Sequence, residues 1–258
     1  MKVVILAGGL GSRLSEETYM KPKPMIKIGS KPMIHHIMQI YSNHNIKEFI
    51  ICCGYKGYVI KKYFDRFFLK NIKKKLKNNI LRYQFRDEDN HNLKVTLVDT
   101  GKNTMTGGRL KRVSKLLKNE KQFCFTYGDG VGNIDITKLI NFHKKHKKLA
   151  SLTACRPQAR YGALTFGQGD LVTRFVEKPE GDGSWINGGF FVLNTSVIKY
   201  IKNDQTSWEG EPLKELSKKK QLYAYKHYGF WMPMDTLRDK NQLNLLWKNG
   251  KAPWKNIK

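Results

Sequence analysis

Four charged residues in this sequence stand beside glycine or proline, or at the mouth of a helix, where the backbone can bring them close to a ligand. Arg13 closes the run Gly8-Gly9-Leu10-Gly11-Ser12-Arg13, which follows the apolar stretch Val3-Val4-Ile5-Leu6-Ala7. Lys23 lies in Lys21-Pro22-Lys23-Pro24. Glycines let a chain turn tightly and present its N–H groups to an anion. Two lasting positive charges just beyond such a cradle suit a polyphosphate. Asp129 sits between Gly128 and Gly130, after Phe123-Cys124-Phe125-Thr126. An aspartate so placed makes a good hard-cation ligand, and it suits a plain turn equally well. Met234-Asp235-Thr236 reads in isolation as a helix N-cap.

The glycine loop matches neither common phosphate-binding fingerprint. Gly9-Leu10-Gly11 supplies a first G-x-G, but Leu14 stands where the third glycine of a dinucleotide site belongs. No Gly-Lys-Ser/Thr follows at the spacing of a P-loop. A bare strand-to-helix turn is the plain alternative. Lys178, in Phe175-Val176-Glu177-Lys178-Pro179, is placed to hold an anion or to be solvated at a strand end. Asn187-Gly188-Gly189 offers an amide and a close backbone approach, useful for sugar hydroxyls, or simply a turn. Trp185, Trp208 and Trp231 suit a sugar platform or a core.

These residues need elements to hold them, and the pattern of elements alternates. Strands are expected at Lys2–Ala7, Phe49–Cys53, Lys94–Val98, Phe123–Thr126, Ser151–Cys155, Gly162–Phe166, Leu171–Glu177 and Phe190–Leu193. Helices are expected at Ile34–His44, Tyr58–Phe68, Met105–Leu117, Ile136–His146 and Thr236–Trp247. Ile34, Ile37, Met38 and Tyr41 recur at helical spacing. Such alternation predicts an α/β fold with a mixed, mostly parallel central sheet flanked by helices. The strands after position 150 suggest a mixed sheet or an inserted antiparallel ribbon. No linker or repeat divides the chain, so residues 1–258 read as a single domain. The basic stretch Asn71–Asn79 reads as mobile or intersubunit. In open α/β sheets ligands bind beyond the carboxyl ends of strands, where the Gly8–Arg13 and Gly128–Gly130 loops both fall.

The chain has 258 residues and 40% apolar composition, enough for a real core. Its formal net charge of +27 invites a nucleic-acid reading. The lysines are scattered instead in runs such as Lys61-Lys62, Lys73-Lys74-Lys75, Lys144-Lys145-His146-Lys147-Lys148 and Lys218-Lys219-Lys220, with no nucleic-acid module beside them. A solvated surface and no nucleic-acid partner are expected, with a field that concentrates phosphorylated substrates. No apolar run reaches membrane length, and the first residues lack a signal-peptide order. A soluble, cytoplasmic protein with no membrane partner is expected. Cys52, Cys53, Cys124 and Cys155 have no CxxC spacing and read as buried thiols rather than a zinc site.

Taken in order, L-A-G-G-x-G-S-R-L, K-P-K-P, G-D-G, E-K-P, N-G-G and the late aspartate resemble the nucleotidylyltransferases that make sugar nucleotides. Ile51-Cys52-Cys53-Gly54-Tyr55-Lys56-Gly57, Thr106-Gly107-Gly108-Arg109-Leu110-Lys111-Arg112, Thr126-Tyr127-Gly128-Asp129-Gly130, Trp185-Ile186-Asn187-Gly188-Gly189-Phe190-Phe191 and Gly229-Phe230-Trp231-Met232-Pro233-Met234-Asp235 narrow the likeness to the branch that uses CTP and glucose 1-phosphate. The likeness runs from Lys2 to Trp254.

It implies the Rossmann-like fold of nucleotide-diphospho-sugar transferases. The implied reaction gives CDP-glucose and pyrophosphate with Mg²⁺, toward the CDP-linked deoxysugars of surface polysaccharide. It also implies roles. Leu6, Ala7, Gly8, Gly9, Leu10, Gly11, Ser12 and Arg13 would hold the nucleotide, with Lys23, Thr104, Gly108, Arg109 and Gly128. Arg13 and Lys23 would be catalytic, and Asp129 and Asp235 would bind Mg²⁺. Lys178 would hold the sugar phosphate, with Glu177, Asn187 and Gly188 on the hydroxyls. The Thr104–Arg109 loop would read the base, with Arg109 donating to cytosine O2; an exposed arginine at a helix start is the alternative. A homo-oligomer is implied, with a hexamer the form expected. Gly101-Lys102-Asn103-Thr104 is less acidic than such relatives lead one to expect. A thymidylyl- or uridylyltransferase, or a non-catalytic nucleotide-sugar-binding regulator, would share much of this pattern.

Overall fold

Nine strands build the central sheet of the computed structural model, which describes residues 1–67, 72–77, 79–88, 90–157, 163–176 and 185–255. In chain order they are β1 (Val3–Ala7), β2 (Glu48–Cys53), β3 (Ile72–Lys77), β4 (Ile80–Arg86), β5 (Asn92–Asp99), β6 (Gln122–Tyr127), β7 (Ala150–Cys155), β8 (Ile186–Asn194) and β9 (Leu222–His227). Their spatial order is β9-β7-β8-β6-β1-β2-β5-β4-β3. The central strands β6, β1, β2 and β5 are parallel neighbours. Only β8 and β4 run against the rest, so seven strands point one way and two the other. The expected mixed, mostly parallel sheet is what forms.

Helices α1 (Ser15–Thr18), α2 (Met33–Ser42), α3 (Gly57–Phe67), α4 (Thr106–Arg112), α5 (Ile136–His146), α6 (Glu211–Lys218) and α7 (Leu237–Lys248) accompany the sheet. Every residue of β1 is buried, as a parallel strand covered on both faces requires. Val3, Ile5 and Ala7 join a core with Ile34, Ile37, Met38 and Tyr41 of α2. Val4 and Leu6 join the opposite core with Leu110 of α4, Phe125 and Trp208. None of the helices is long and apolar enough to cross a membrane, among the described residues. All four cysteines are free and buried. Burial pushes the Cys53, Cys124 and Cys155 thiols up to about 12, which leaves them unreactive at neutral pH.

Two departures from the sequence reading have local causes. The expected helix Met105–Leu117 breaks at Val113 (φ −94°, ψ 1°) into α4 and a 3₁₀ turn, Ser114–Leu117. The stretch expected to be mobile or intersubunit contributes the edge strand β3, paired antiparallel with β4. An edge strand pairs on one side only and needs no continuous apolar pattern. After position 150 both expected arrangements occur: strands Ala163–Phe166 and Val172–Val176 form an antiparallel ribbon apart from the main sheet, while β7 and β8 enter the sheet itself and make it mixed.

His36 of α2 shows how the core fixes a protonation state. Its Nε2 lies 3.0 Å from the Ile28 carbonyl, and the Trp254 indole N–H donates to its Nδ1 at 3.3 Å. This pairing suits only a neutral ring, with the proton on Nε2. Burial lowers its pKa from 6.5 to about 4. The unfolded chain therefore binds the proton more readily. The stabilisation is complete above pH 6.5 and drains away as the pH falls toward 4. Its loss amounts to about 3 kcal/mol at most. Urea titrations from pH 7.5 to 4.5 are expected to show stability falling through this window, and less steeply in His36→Gln. An equal slope in both proteins would contradict the assignment.

Candidate active site

The parallel register brings the carboxyl ends of the central strands to one edge, with Leu6 beside Tyr127 and Ala7 beside Cys53. The glycine loop leaves from there. Gly11 adopts φ +67°, and a side chain on it would press to 2.8 Å from the Thr18 methyl. The Thr18 hydroxyl bonds the carbonyls of Leu14 (3.0 Å) and Gly11 (3.2 Å), which closes the turn. Nothing lies within 4 Å of a Cβ built on Gly9, so that stretch of loop is open to a ligand. A Cβ on Gly128 would meet the Leu6 carbonyl at 2.3 Å, so only glycine lets these two strand ends come together.

Beyond the loop, four charges converge. The Lys23 ammonium donates to Asp129 Oδ2 (2.9 Å) and Asp235 Oδ1 (2.5 Å). Arg13 Nη1 donates to Asp235 Oδ2 at 2.7 Å. Pro22 precedes and Pro24 follows Lys23, in a 3₁₀ turn that buries its side chain. The two aspartates meet because Trp231–Pro233 pairs antiparallel with Gly130–Gly132. The Met234 N–H then donates to the Asp129 carbonyl at 2.7 Å. Asp235 is not the cap of α7. Thr236 is, in a capping box with Asp239, which leaves the Asp235 carboxylate to face the cations.

Two carboxylates aimed at one ammonium define a position that favours a small hard cation. No group of three or more His, Cys, Asp or Glu able to hold a metal occurs among the described residues. A divalent ion here would complete its shell with phosphate oxygens and water, as Mg²⁺ commonly does. The donor set therefore fits Mg²⁺ in company with a nucleotide.

Arg109 is placed differently from both sequence readings. It is 4% exposed, not an exposed residue at a helix start. Its Nη2 donates to the carbonyls of Gly8 (2.9 Å) and Lys102 (3.2 Å). Its Nη1 reaches the Gly101 carbonyl (2.7 Å), the Thr100 hydroxyl (2.8 Å) and the Cys53 carbonyl (3.2 Å). The terminal donors expected on cytosine O2 are thus engaged with backbone carbonyls and the Thr100 hydroxyl. The guanidinium stitches the glycine loop to the end of β2 and to the 100–104 turn. It also explains Gly8 and Gly54, where a Cβ would strike Arg109 at 2.2 and 2.4 Å. Thr104 is buried at the same turn. Gly107 and Gly108 face another part of the chain. Their Cβ atoms would meet the Thr206 and Asp204 carbonyls at 2.7 and 2.4 Å.

On the other side, Asn187 donates from Nδ2 to the Tyr127 hydroxyl at 3.2 Å, and its Oδ1 accepts from the Gly189 N–H at 2.9 Å. The Trp231 indole donates to the Gly188 carbonyl at 2.7 Å. Trp208 is fully buried against Phe125 and Phe191 and belongs to the core. Trp185 stacks beneath the Arg156 guanidinium, 4.6 Å from the ring centre. Glu177 and Lys178 lie outside the described residues. Tyr127, whose hydroxyl accepts from Asn187, was not among the candidate residues read from the sequence. A tyrosine immediately before Gly-Asp-Gly was the available signal for it.

A family model described as nucleotidyl transferase matches residues 2–239. Over 257 residues the chain is 58% identical to a glucose-1-phosphate cytidylyltransferase of Salmonella typhimurium (strain LT2), covering 99% of each. It is 40% identical over 256 residues, again 99% of each, to a protein of Bacillus subtilis (strain 168) described as a probable glucose-1-phosphate cytidylyltransferase. The fold matches the crystal structure of HddC from Yersinia pseudotuberculosis with a TM-score of 0.70, over 95% of this chain and 99% of that one. At 23% identity that likeness concerns the fold alone.

Proposed function

The chain belongs to the nucleotidyl transferase family, and from that premise we propose that it transfers the cytidylyl group of CTP to α-D-glucose 1-phosphate, releasing pyrophosphate and CDP-glucose. The observation that carries this reading is 58% identity along essentially the whole of a glucose-1-phosphate cytidylyltransferase. The convergence of Arg13, Lys23, Asp129 and Asp235 supplies charges suited to the chemistry.

A phosphate oxygen of the sugar phosphate attacks the α-phosphorus of CTP in line. A bond forms from that oxygen to phosphorus, and the bond from phosphorus to the β-phosphate oxygen breaks. The nucleophile is already an anion near neutral pH, so no general base is needed. The barrier comes from anion–anion repulsion and from charge gathering on the departing pyrophosphate. The open Gly8–Ser12 backbone and Arg13 hold the triphosphate. Lys23, shared between two carboxylates in the structure, reaches the α-phosphate once the nucleotide is bound. Mg²⁺, held by Asp129 and Asp235 together with the nucleotide's phosphates, would add positive charge against that repulsion. Asn187 and Gly188 face the sugar, with Lys178 and Glu177 assigned to its phosphate and hydroxyls. Thr104, Gly108 and Gly128 shape the nucleotide side, and Arg109 serves it by holding the loops.

Residues 1–258 act as one catalytic domain, in the cytoplasm and without nucleic acid or membrane. Leu164, Phe166, Leu171 and Phe175 are exposed on the ribbon and support a homo-oligomer, with a hexamer the form expected. The reading is tested with CTP labelled at the α-phosphorus. With glucose 1-phosphate and Mg²⁺ the label is expected in CDP-glucose, in step with pyrophosphate. Label released as CMP, or retained in CTP, would overturn it.

A further inference from the structure

We propose that Lys56 is a positioning residue that, with Tyr55, clamps both ends of the triphosphate loop and so sets its affinity for ligands that carry a pyrophosphate group; the assignment of the loop to a triphosphate rests on the cytidylyl-transfer reading above. The loop leaves β1 at Gly8, carries Arg13 and closes after α1 at Thr18 and Tyr19. Between Gly9 and Glu17 only Leu14 enters a hydrophobic core. The rest of that arc needs its two ends held, and the pair that follows β2 holds both. At the near end the Gly8 carbonyl accepts from the Tyr55 N–H at 3.1 Å, beside its bond to Arg109. At the far end the Thr18 carbonyl accepts from the Tyr55 hydroxyl (3.1 Å) and from the Lys56 ammonium (3.4 Å). The ammonium also donates to the Tyr19 carbonyl. A helix leaves its last carbonyls without partners, and a lysine can satisfy them.

Lys56 adopts a strained backbone to do this. Its φ is +47°, in the left-handed region that disfavours a side chain. Glycine sits there freely, and Gly54 and Gly57 stand close by in the chain, yet the strained position holds lysine. Strain of this kind persists only where the surroundings enforce it, and it gathers at functional sites. The surroundings here are the loop itself. The side chain is half-buried, and its ammonium lies 5.3 Å from the ring centre of Tyr19 and 5.1 Å from that of Tyr55. Every hydrogen bond the ammonium makes among the described residues ends on the loop. Tyr55 and Lys56 thus act on the phosphate-facing arc through its backbone, apart from the charge cluster around Lys23.

The test combines equilibrium binding of inorganic pyrophosphate, with Mg²⁺ present, and steady-state kinetics in which CTP and glucose 1-phosphate are varied separately. The variants are Lys56→Gly, Lys56→Arg and Tyr55→Phe. Lys56→Gly removes the ammonium and relieves the backbone, so its melting temperature is expected to stay near the wild-type value. Its affinity for pyrophosphate is expected to fall about tenfold, the scale of a hydrogen bond from a charged group. KM for CTP should rise by a similar factor, with kcat and KM for glucose 1-phosphate little changed, the pattern of lost ground-state binding. Lys56→Arg should recover most of the loss, because a guanidinium also donates to carbonyls. Tyr55→Phe keeps the backbone bond to Gly8 and removes only the hydroxyl, so it should move the same two quantities by less. Unchanged pyrophosphate affinity in Lys56→Gly would overturn the inference, whatever its melting temperature. An equal rise in both KM values would overturn it too, since the clamp acts on one substrate's site. Wild type that binds pyrophosphate but releases none from CTP would instead overturn the cytidylyl-transfer reading, and pyrophosphate binding alone then decides the clamp. Wild type without affinity for pyrophosphate would overturn both.

Discussion

Asp129→Asn is expected to leave the fold intact and to abolish turnover. The Asp129 side chain is one-third exposed and lies outside both hydrophobic cores. Its backbone carbonyl, which anchors Met234, is unchanged by the substitution. Asparagine also keeps the size of the side chain. What disappears is one of the two negative charges that converge on Lys23, and with it, in the proposed reading, half of the protein's hold on a divalent ion. Removing a preorganised electrostatic stabiliser costs about 2.7–4 kcal/mol in the barrier, or 10²–10³ in kcat. A pyrophosphate-release assay should therefore fall to background while the melting curve stays in place. Normal turnover with Mg²⁺ would remove Asp129 from the metal site.

Lys23→Ala is expected to lower kcat far more than it raises KM for CTP. The ammonium is buried between Asp129 and Asp235, where the low local dielectric enlarges its effect on nearby charge. In the proposed reading the triphosphate would keep other contacts for ground-state binding, in Arg13 and the glycine loop. The charge that grows in the transition state would then depend on Lys23. A loss of about 10²–10³ in kcat, with KM nearly constant, is the pattern of an interaction made chiefly in the transition state. A raised KM with unchanged kcat would make Lys23 a ground-state ligand only. The alanine variant also leaves two facing carboxylates with one cation fewer, so its melting temperature belongs beside its kinetics.

The parts of the site built from continuous segments were legible before the fold was known. β1 announces itself because a strand buried on both faces must be apolar throughout, and the glycine loop follows it directly. α2 shows its buried face at helical spacing. The meeting of Asp129 with Asp235 has no such local trace. It depends on a short pairing between Gly130–Gly132 and Trp231–Pro233, segments far apart in the chain, and each aspartate alone also suits a turn or a cap. Family resemblance supplied that pairing where residue patterns could not. Arg109 was singled out, but the direction of its donors depends on three turns that only the fold assembles. β3 was hidden because a lysine-bearing edge strand lacks the alternation that marks a half-buried one.

The central claim concerns the base as much as the reaction. A site whose polar groups pair with cytosine leaves them unpaired with thymine or uracil, and such mismatches discriminate strongly. The most direct test is pyrophosphate release from CTP, UTP, TTP, ATP and GTP, each with glucose 1-phosphate and Mg²⁺ at equal enzyme concentration. The expected result is a kcat/KM for CTP above every other nucleotide by about 10² or more. Faster release with TTP or UTP than with CTP would contradict the account.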